Sequence, residues 1–253
     1  MLKTRLIPQL LLHEGRLVKG VNFGAFREAG QPVSAAKIFN AQCADELIFL
    51  DIDANRDGRR HLAETLKAVA ECCFMPLTAG GGVRTLDDIR ELLLAGADKV
   101  CVNSAAVERP EFITEAAARF GSQCVVVSID VKRGPHGRCE AFTHSGTKAS
   151  GLEVVAWAKE AVRLGAGELL ITSIDRDGTR KGYDLELILA VSSAVGVPVI
   201  ASGGVGSLQD LVDGVREGGA SAVSTGSMLY FTDHSVIKAR AFMKGAGLPM
   251  RAS

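Results

Sequence analysis

The sequence predicts one α/β domain over residues 1–253, a (β/α)8 TIM barrel built from two repeated half-barrels. Three observations predict it. Strand-length apolar runs alternate with amphipathic stretches along the whole chain, there are eight such runs, and the two halves resemble each other. The length of 253 residues suits one such barrel without a second domain.

The runs that read as strands are 5–11, 46–51, 75–79, 99–102, 123–130, 168–172, 197–201 and 222–225. They are short, apolar and bounded by turn signals, as strands buried on both faces of a parallel sheet should be. Between the third and fourth, 85–95 places apolar residues at 86, 89, 92 and 93, which form one face of a helix; 152–164 reads likewise. Thr85 ahead of Asp87 and Asp88, and Ser207 ahead of Gln209 and Asp210, put a capping hydroxyl before carboxylates or amides in a first helical turn. Gly96, Gly165 and Gly218 are placed as helix stops. The first connection, 12–30, is long for a βα loop and is expected to be a mobile lid.

The repeat is the most informative feature. Glu46-Leu47-Ile48-Phe49-Leu50-Asp51-Ile52-Asp53 aligns with Glu168-Leu169-Leu170-Ile171-Thr172-Ser173-Ile174-Asp175, and the same offset of 122 carries Ala79-Gly80-Gly81-Gly82-Val83 onto Ala201-Ser202-Gly203-Gly204-Val205. After a one-residue insertion near Gly219, Val102-Asn103-Ser104 falls on Thr225-Gly226-Ser227. Each half thus has a glycine-rich turn after its third strand and a small polar turn after its fourth. Such turns let backbone N–H groups approach an anion at a helix start. Two matched copies on opposite sides of one barrel mouth predict a ligand with two phosphate groups.

At an offset of 119, 6–11 pairs with 125–130, so Asp130 ends the fifth strand at the catalytic face as a candidate acid–base group. Its repeat mate is Leu11, which cannot transfer a proton. Asp51, Asp175 and Asp177 lie at or just beyond strand ends, with turn chemistry as the competing reading for Asp177-Gly178 and Asp57-Gly58. Lys19 either reaches over a phosphate or is a solvated loop lysine. At the opposite face Arg5, Glu46, Lys99 and Glu168 each begin a strand and converge; taken alone, that ring reads as a stabilising ion-pair plug.

Composition narrows the function classes. With 29 basic and 29 acidic residues, no long charge run and 5% aromatic content, no nucleic-acid partner and no anionic membrane partner are expected. The longest apolar runs are strand-length, so no transmembrane helix is expected, and Pro8 and Gln9 interrupt the apolar N-terminal stretch too early for a signal peptide. Six cysteines (43, 72, 73, 101, 124 and 139) form no C-x-x-C pair and are expected to be reduced, buried thiols of a cytoplasmic protein, with no metal site and no cofactor.

Across essentially the whole chain the sequence resembles the cyclase subunit of imidazole glycerol phosphate synthase. The residues that carry the likeness include Gly15-Arg16-Leu17-Val18-Lys19-Gly20-Val21-Asn22-Phe23, Gly96-Ala97-Asp98-Lys99-Val100 and Thr172-Ser173-Ile174-Asp175-Arg176-Asp177-Gly178-Thr179. The resemblance implies a barrel that receives ammonia from a glutaminase docked on its bottom face. It makes Arg5, Glu46, Lys99 and Glu168 an ammonia gate and puts Asp98 at the partner interface. It assigns phosphate contacts to Gly82, Asn103 and Ser104 on one side, and to Asp177, Gly178, Gly204, Gly226 and Ser227 on the other. The chief departure is Leu11, where the family uses an Asp paired with the one at Asp130. That departure implies a paralogue, of the kind linked to amidination of surface-polysaccharide sugars with its own glutaminase and a sugar amidotransferase. An authentic histidine-pathway cyclase and a non-catalytic ammonia conduit are the alternatives.

Overall fold

The computed structural model describes residues 3–53, 63–134 and 137–251; the Asp57-Gly58 turn lies outside them. Among the described residues twelve strands run in the order β1 (Arg5–His13), β2 (Arg16–Val21), β3 (Gly24–Gly30), β4 (Leu47–Asp51), β5 (Leu77–Gly80), β6 (Lys99–Val102), β7 (Val125–Arg133), β8 (Cys139–Thr143), β9 (Lys148–Glu153), β10 (Glu168–Ser173), β11 (Val199–Ser202) and β12 (Ala222–Thr225). Eight of them, β1, β4, β5, β6, β7, β10, β11 and β12, pair in parallel with their neighbours, and β12 pairs back onto β1 to close the barrel. Closure leaves no parallel edge unpaired, which an open eight-stranded sheet would have to protect.

The helices among the described residues are α1 (Pro32–Ala41), α2 (Ala63–Ala70), α3 (Leu86–Leu94), α4 (Ser104–Glu108), α5 (Glu111–Phe120), α6 (Val154–Leu164), α7 (Leu185–Ser192), α8 (Leu208–Arg216), α9 (Ser227–Phe231) and α10 (Val236–Gly245). The starts of α3 and α8 are the capping boxes that their sequences predict, with Thr85 and Ser207 each accepting from the backbone N–H of the Asp three residues on. Gly165 caps α6 in the left-handed conformation as expected. Gly218 does not do so for α8: Glu217 is its C-cap, and the left-handed residue is Gly219.

Strand boundaries differ from the sequence expectation where a donor is missing. The third and seventh barrel strands begin two residues later than predicted, just past Pro76 and Pro198. Proline has no N–H to give the ladder but still accepts, from Leu47 N at 2.9 Å and Leu169 N at 3.0 Å respectively. The fifth barrel strand likewise begins at Val125 because 122–124 form a 3-10 turn.

The larger correction concerns the first connection. Residues 12–30 are not a loop: β1 continues to His13, and β2 and β3 complete an antiparallel arm. Its first turn, Glu14-Gly15, has positive φ at both positions, the geometry whose twist matches the flanking strands of a tight hairpin. A second arm, β8–β9, follows β7, so the two half-barrels repeat their hairpins as well as their strands.

Side chains inside the barrel are layered by the two-residue period of the strands. The lowest layer is Arg5, Glu46, Lys99 and Glu168. Above it Ile7, Ile48, Cys101, Val126, Leu170, Ile200 and Ala222 form an apolar cluster, separate from the larger core between sheet and helices. Gln9, Leu50, Ser128, Thr172, Ser202 and Ser224 come next, and the mouth follows. Of the cysteines only Cys101 is buried, with burial pushing its thiol up to about 12; Cys43 is exposed and the other four are partly buried, contrary to the expectation of burial for most of them.

Candidate active site

The mouth is built from strands that place alternate side chains inward. On β1 these are Gln9, Leu11 and His13, and on β7 Ser128 and Asp130. They line a cavity of about 1140 Å³, counted out to its open rim, together with Asp51, Gly81, Gly82, Asn103, Ser104 and Asp177. Two hairpin arms roof it: Phe23 and Phe26 come from β2–β3, and Ser145 and Thr147 from β8–β9. The arms meet where Phe23 lies against Gly146.

Asp130 is a partly buried carboxylate of this cavity, which Asp51 and Asp53, both buried, also line. Burial pushes its pKa up from the ordinary carboxylate range to about 7, and the nearby charge of Asp177 adds to the rise. Two donors oppose the rise: Ser128 Oγ donates to Oδ1 at 3.3 Å and Asn103 Nδ2 to Oδ2 at 2.8 Å. A carboxyl group poised near neutrality inside a cavity can take or give a proton at physiological pH. Leu11 lines the same cavity as Asp130, in agreement with their pairing in the repeat.

A second, smaller recess of about 400 Å³ opens beside the first, bounded by Lys19, Gly20, Asp177, Gly178, Gly203, Gly204, Gly226 and Ser227. Lys19 is a strand residue of β2, 4% exposed, so the solvated-loop reading is overturned. Its Nζ donates to the Gln9 carbonyl and lies 5.2 Å from the Tyr230 ring centre. Burial lowers the Lys19 pKa to about 8 against the pull of Asp177; burial raises that of Asp177 to about 6 against the pull of Lys19. Thr225 Oγ1, on the wall of this recess, is buried with no hydrogen-bond partner among the described residues.

The repeat extends to backbone angles. Asn103 and Gly226, each preceding a short helix, have φ/ψ of −129°/−83° and −129°/−81°. Gly81 and Gly203 both have positive φ, and a Cβ on either would meet the carbonyl oxygen of the neighbouring strand end, Asp51 at 2.1 Å and Ser173 at 2.7 Å. The glycine turns therefore lie against the barrel rim where no larger residue fits.

The expected site residues thus gather into two recesses that share Gln9, Leu11 and Asp177. Ser104 has a further task, since its Oγ accepts from His144 N at 3.0 Å and anchors the second arm. Asp175 stands apart: its Oδ2 accepts from Arg133 N at 2.8 Å, a structural turn contact. At the barrel bottom the ring is closed. Arg5 reaches Glu46 at 2.8 Å and Glu168 at 2.5 Å, and Lys99 reaches the same two carboxylates at 3.0 and 2.8 Å. Asp98, exposed beside it, accepts from Leu77 N at 2.8 Å. Gln9, Ser128 and Asp53 are mouth residues that the sequence motifs do not mark. Gln9 had a readable signal, being a polar residue at an inward position of an apolar strand.

The first arm is tied down rather than free. Asn22 N donates to Asp177 O at 2.9 Å, and Asn22 Nδ2 donates to the carbonyls of Ile174 and Asp175. Gly178 fits beneath it, where a Cβ would stand 2.0 Å from the Gly20 carbonyl oxygen at a φ of +72°. Gly178→Ala is therefore expected to lift the arm and destabilise the protein by roughly 2 kcal/mol or more. Hydrogen exchange at 16–30 would rise at least tenfold; unchanged protection would show that the arm accommodates the methyl.

A closed eight-stranded barrel with a carboxyl group facing a cavity at the C-terminal mouth of its strands defines a barrel of the enzyme class. The chain matches the histidine biosynthesis protein family over residues 5–235 and belongs to that family, whose members are enzymes of histidine biosynthesis. Among the described residues no three His, Cys, Asp or Glu side chains are grouped to hold a metal ion, and no helix is long and apolar enough to cross a membrane.

Proposed function

We propose that this protein is an ammonia-receiving synthase subunit that works with a glutaminase on the N-terminal face of its barrel, as a paralogue of the imidazole glycerol phosphate synthase cyclase serving amidination of surface-polysaccharide sugars. The observation that carries the reading is the axial order of the lumen: the charged ring, then the apolar layer, then the cavity holding Asp130 and Leu11. Ammonia is small and neutral, so an apolar layer passes it where ammonium would be held back by its desolvation cost. Asp98 on the exposed bottom rim suits a partner contact.

The two recesses suit a phosphorylated ligand. Lys19 supplies a cation, Thr225 Oγ1 an unused hydroxyl, and the glycine turns a close backbone approach. Gly82, Asn103 and Ser104 would hold one phosphate, and Gly178, Gly204, Gly226 and Ser227 the other. No cofactor is required. A sugar amidotransferase is the proposed recipient of the product chemistry.

Leu11 favours the paralogue over the histidine-pathway cyclase, because it removes one of two acid–base groups from the cavity. The intact Asp130 and paired recesses favour the cyclase reading instead. Turnover of the histidine-pathway ribulosyl bisphosphate intermediate with excess ammonium separates them. The native protein is expected to be slow, and Leu11→Asp to be faster by ~10²-fold or more, the usual worth of a positioned acid or base. A native rate already as high as that of Leu11→Asp would establish the histidine-pathway cyclase.

A further inference from the structure

We propose that His13 and Asp53 form a second acid–base group of this cavity, standing on the wall that Leu11 leaves without one. The inference rests on the reading of the cavity as a reaction site; from the sequence His13 reads only as a poor replacement for an acid at position 11, and its pairing with Asp53 is what the structure adds.

His13 is the next inward residue after Leu11 on β1, and its ring lines the cavity that contains Asp130. Its Nδ1 is bonded to Asp53 Oδ1, and the other Asp53 oxygen accepts from the backbone N–H of Glu14 at 2.5 Å. Asp53 is 5% exposed, and its own N–H donates to Asp51 Oδ1 at 3.0 Å, which fixes the carboxylate in place. Phe26 packs on the His13 ring with centroids 5.3 Å apart. With one Asp53 oxygen taken by the Glu14 N–H, the contact between the other oxygen and Nδ1 favours the tautomer that carries its proton on Nδ1.

Nε2 is then left with its lone pair and has no hydrogen-bond partner among the described residues. The side chain is about one-third exposed, at 31%, as a group that must meet a ligand should be. The arrangement is that of a base oriented by a buried carboxylate. In a reaction cycle Nε2 would accept a proton from an incoming amine as its nitrogen forms a bond to carbon. The imidazolium, held by Asp53, would return that proton to a departing hydroxyl as water, leaving both His13 and Asp53 as they began.

The placement also bears on substrate choice. Two residues along a strand are about 7 Å, so His13 acts nearer the roof than a carboxylate at position 11 would. That favours an acceptor whose reacting atom lies high in the cavity, near Ser145 and Thr147 of the second arm.

Two measurements on the full-length protein test this. In 15N NMR of the imidazole rings, the His13 signals, assigned by their loss in His13→Asn, are expected to report the Nδ1–H tautomer, and Asp53→Asn to abolish that preference. An Nε2–H tautomer, or indifference to Asp53→Asn, would overturn the dyad. The second is ammonium-driven turnover of the ribulosyl bisphosphate intermediate. His13→Asn is expected to lower the native kcat at least tenfold with KM within threefold, yet to have less than a threefold effect beside Leu11→Asp, where the new carboxylate takes over. Equal losses in both backgrounds mean a merely structural role and refute the proposal. A fast native protein that His13→Asn disables would refute the paralogue reading and uphold the dyad. Complete silence of the native protein would refute only the choice of substrate, leaving the tautomer result to decide the dyad.

Discussion

Asp130→Asn is expected to lower turnover by ~10² to 10⁴-fold while making the folded protein more stable. The carboxyl sits in a cavity that penalises its charge, with its pKa raised to about 7. Above that pH it is ionised and able to accept a proton; below it, it is not. At a fixed concentration of free ammonia the native rate should therefore rise with pH through about 7 and then level off, and Asp130→Asn should lower the plateau by ~10² to 10⁴-fold. Asn103→Ala removes a donor to the ionised form, so the rising limb should move to higher pH.

The stability effect has the opposite sign. Because folding raises this pKa above its unfolded value, the folded state binds the proton more tightly. Stability from this group is full below the unfolded value of about 4 and is lost as pH rises through about 7. The full rise is equivalent to about 4 kcal/mol. Replacing the carboxyl with an amide should recover on the order of 2 kcal/mol at pH 8 and little at pH 4, since the Asn103 and Ser128 contacts would be only partly remade. Urea unfolding of both proteins at the two pH values measures this. Equal stability at pH 8 would mean that Asp130 is better solvated than its burial implies.

The second large effect is at the other end of the barrel. Arg5→Leu leaves Glu46 and Glu168, each 6% exposed at the side chain, to share Lys99 alone. Burial works against the Arg5 charge, but Glu168 and Glu46 together outweigh it and raise the Arg5 pKa further, so the ring acts as one network. Removing one cation from such a network should cost about 3–5 kcal/mol, because a buried carboxylate is left short of its partner. Adding Glu168→Gln should recover part of that loss. The urea midpoints of the two single variants and the double variant give the coupling. A cost below about 1 kcal/mol for Arg5→Leu would place the ring among solvent-screened surface pairs.

Much of this molecule is legible in its sequence. Eight apolar runs and a repeat with a nearly constant offset specified the barrel, because burial on both faces leaves a parallel strand few polar choices. The glycine pairs were legible for the same reason: positions where a Cβ would strike the neighbouring strand exclude other residues, and the repeat shows the exclusion twice. The ring of Arg5, Glu46, Lys99 and Glu168 could be inferred because each residue starts a strand or, for Glu46, directly precedes one. The two hairpin arms could not, since 12–30 and 139–153 mix polar and apolar residues without a clean alternation; the arms have exposed faces, and turn residues such as Glu14-Gly15 and Ser145-Gly146 are found in loops as readily as in hairpins.

What the sequence by itself determined, then, is the barrel, its twofold internal repeat, and which residues stand at its two ends. Those features depend on spacing, and spacing survives in one dimension. Only the tertiary structure decided that Lys19 is buried and that His13 meets Asp53. Each of these joins strands far apart in the chain or follows from how an arm folds back over the mouth. Both the pKa of a carboxyl and the partner of a histidine are set by what surrounds them in space, which no local pattern of residues records.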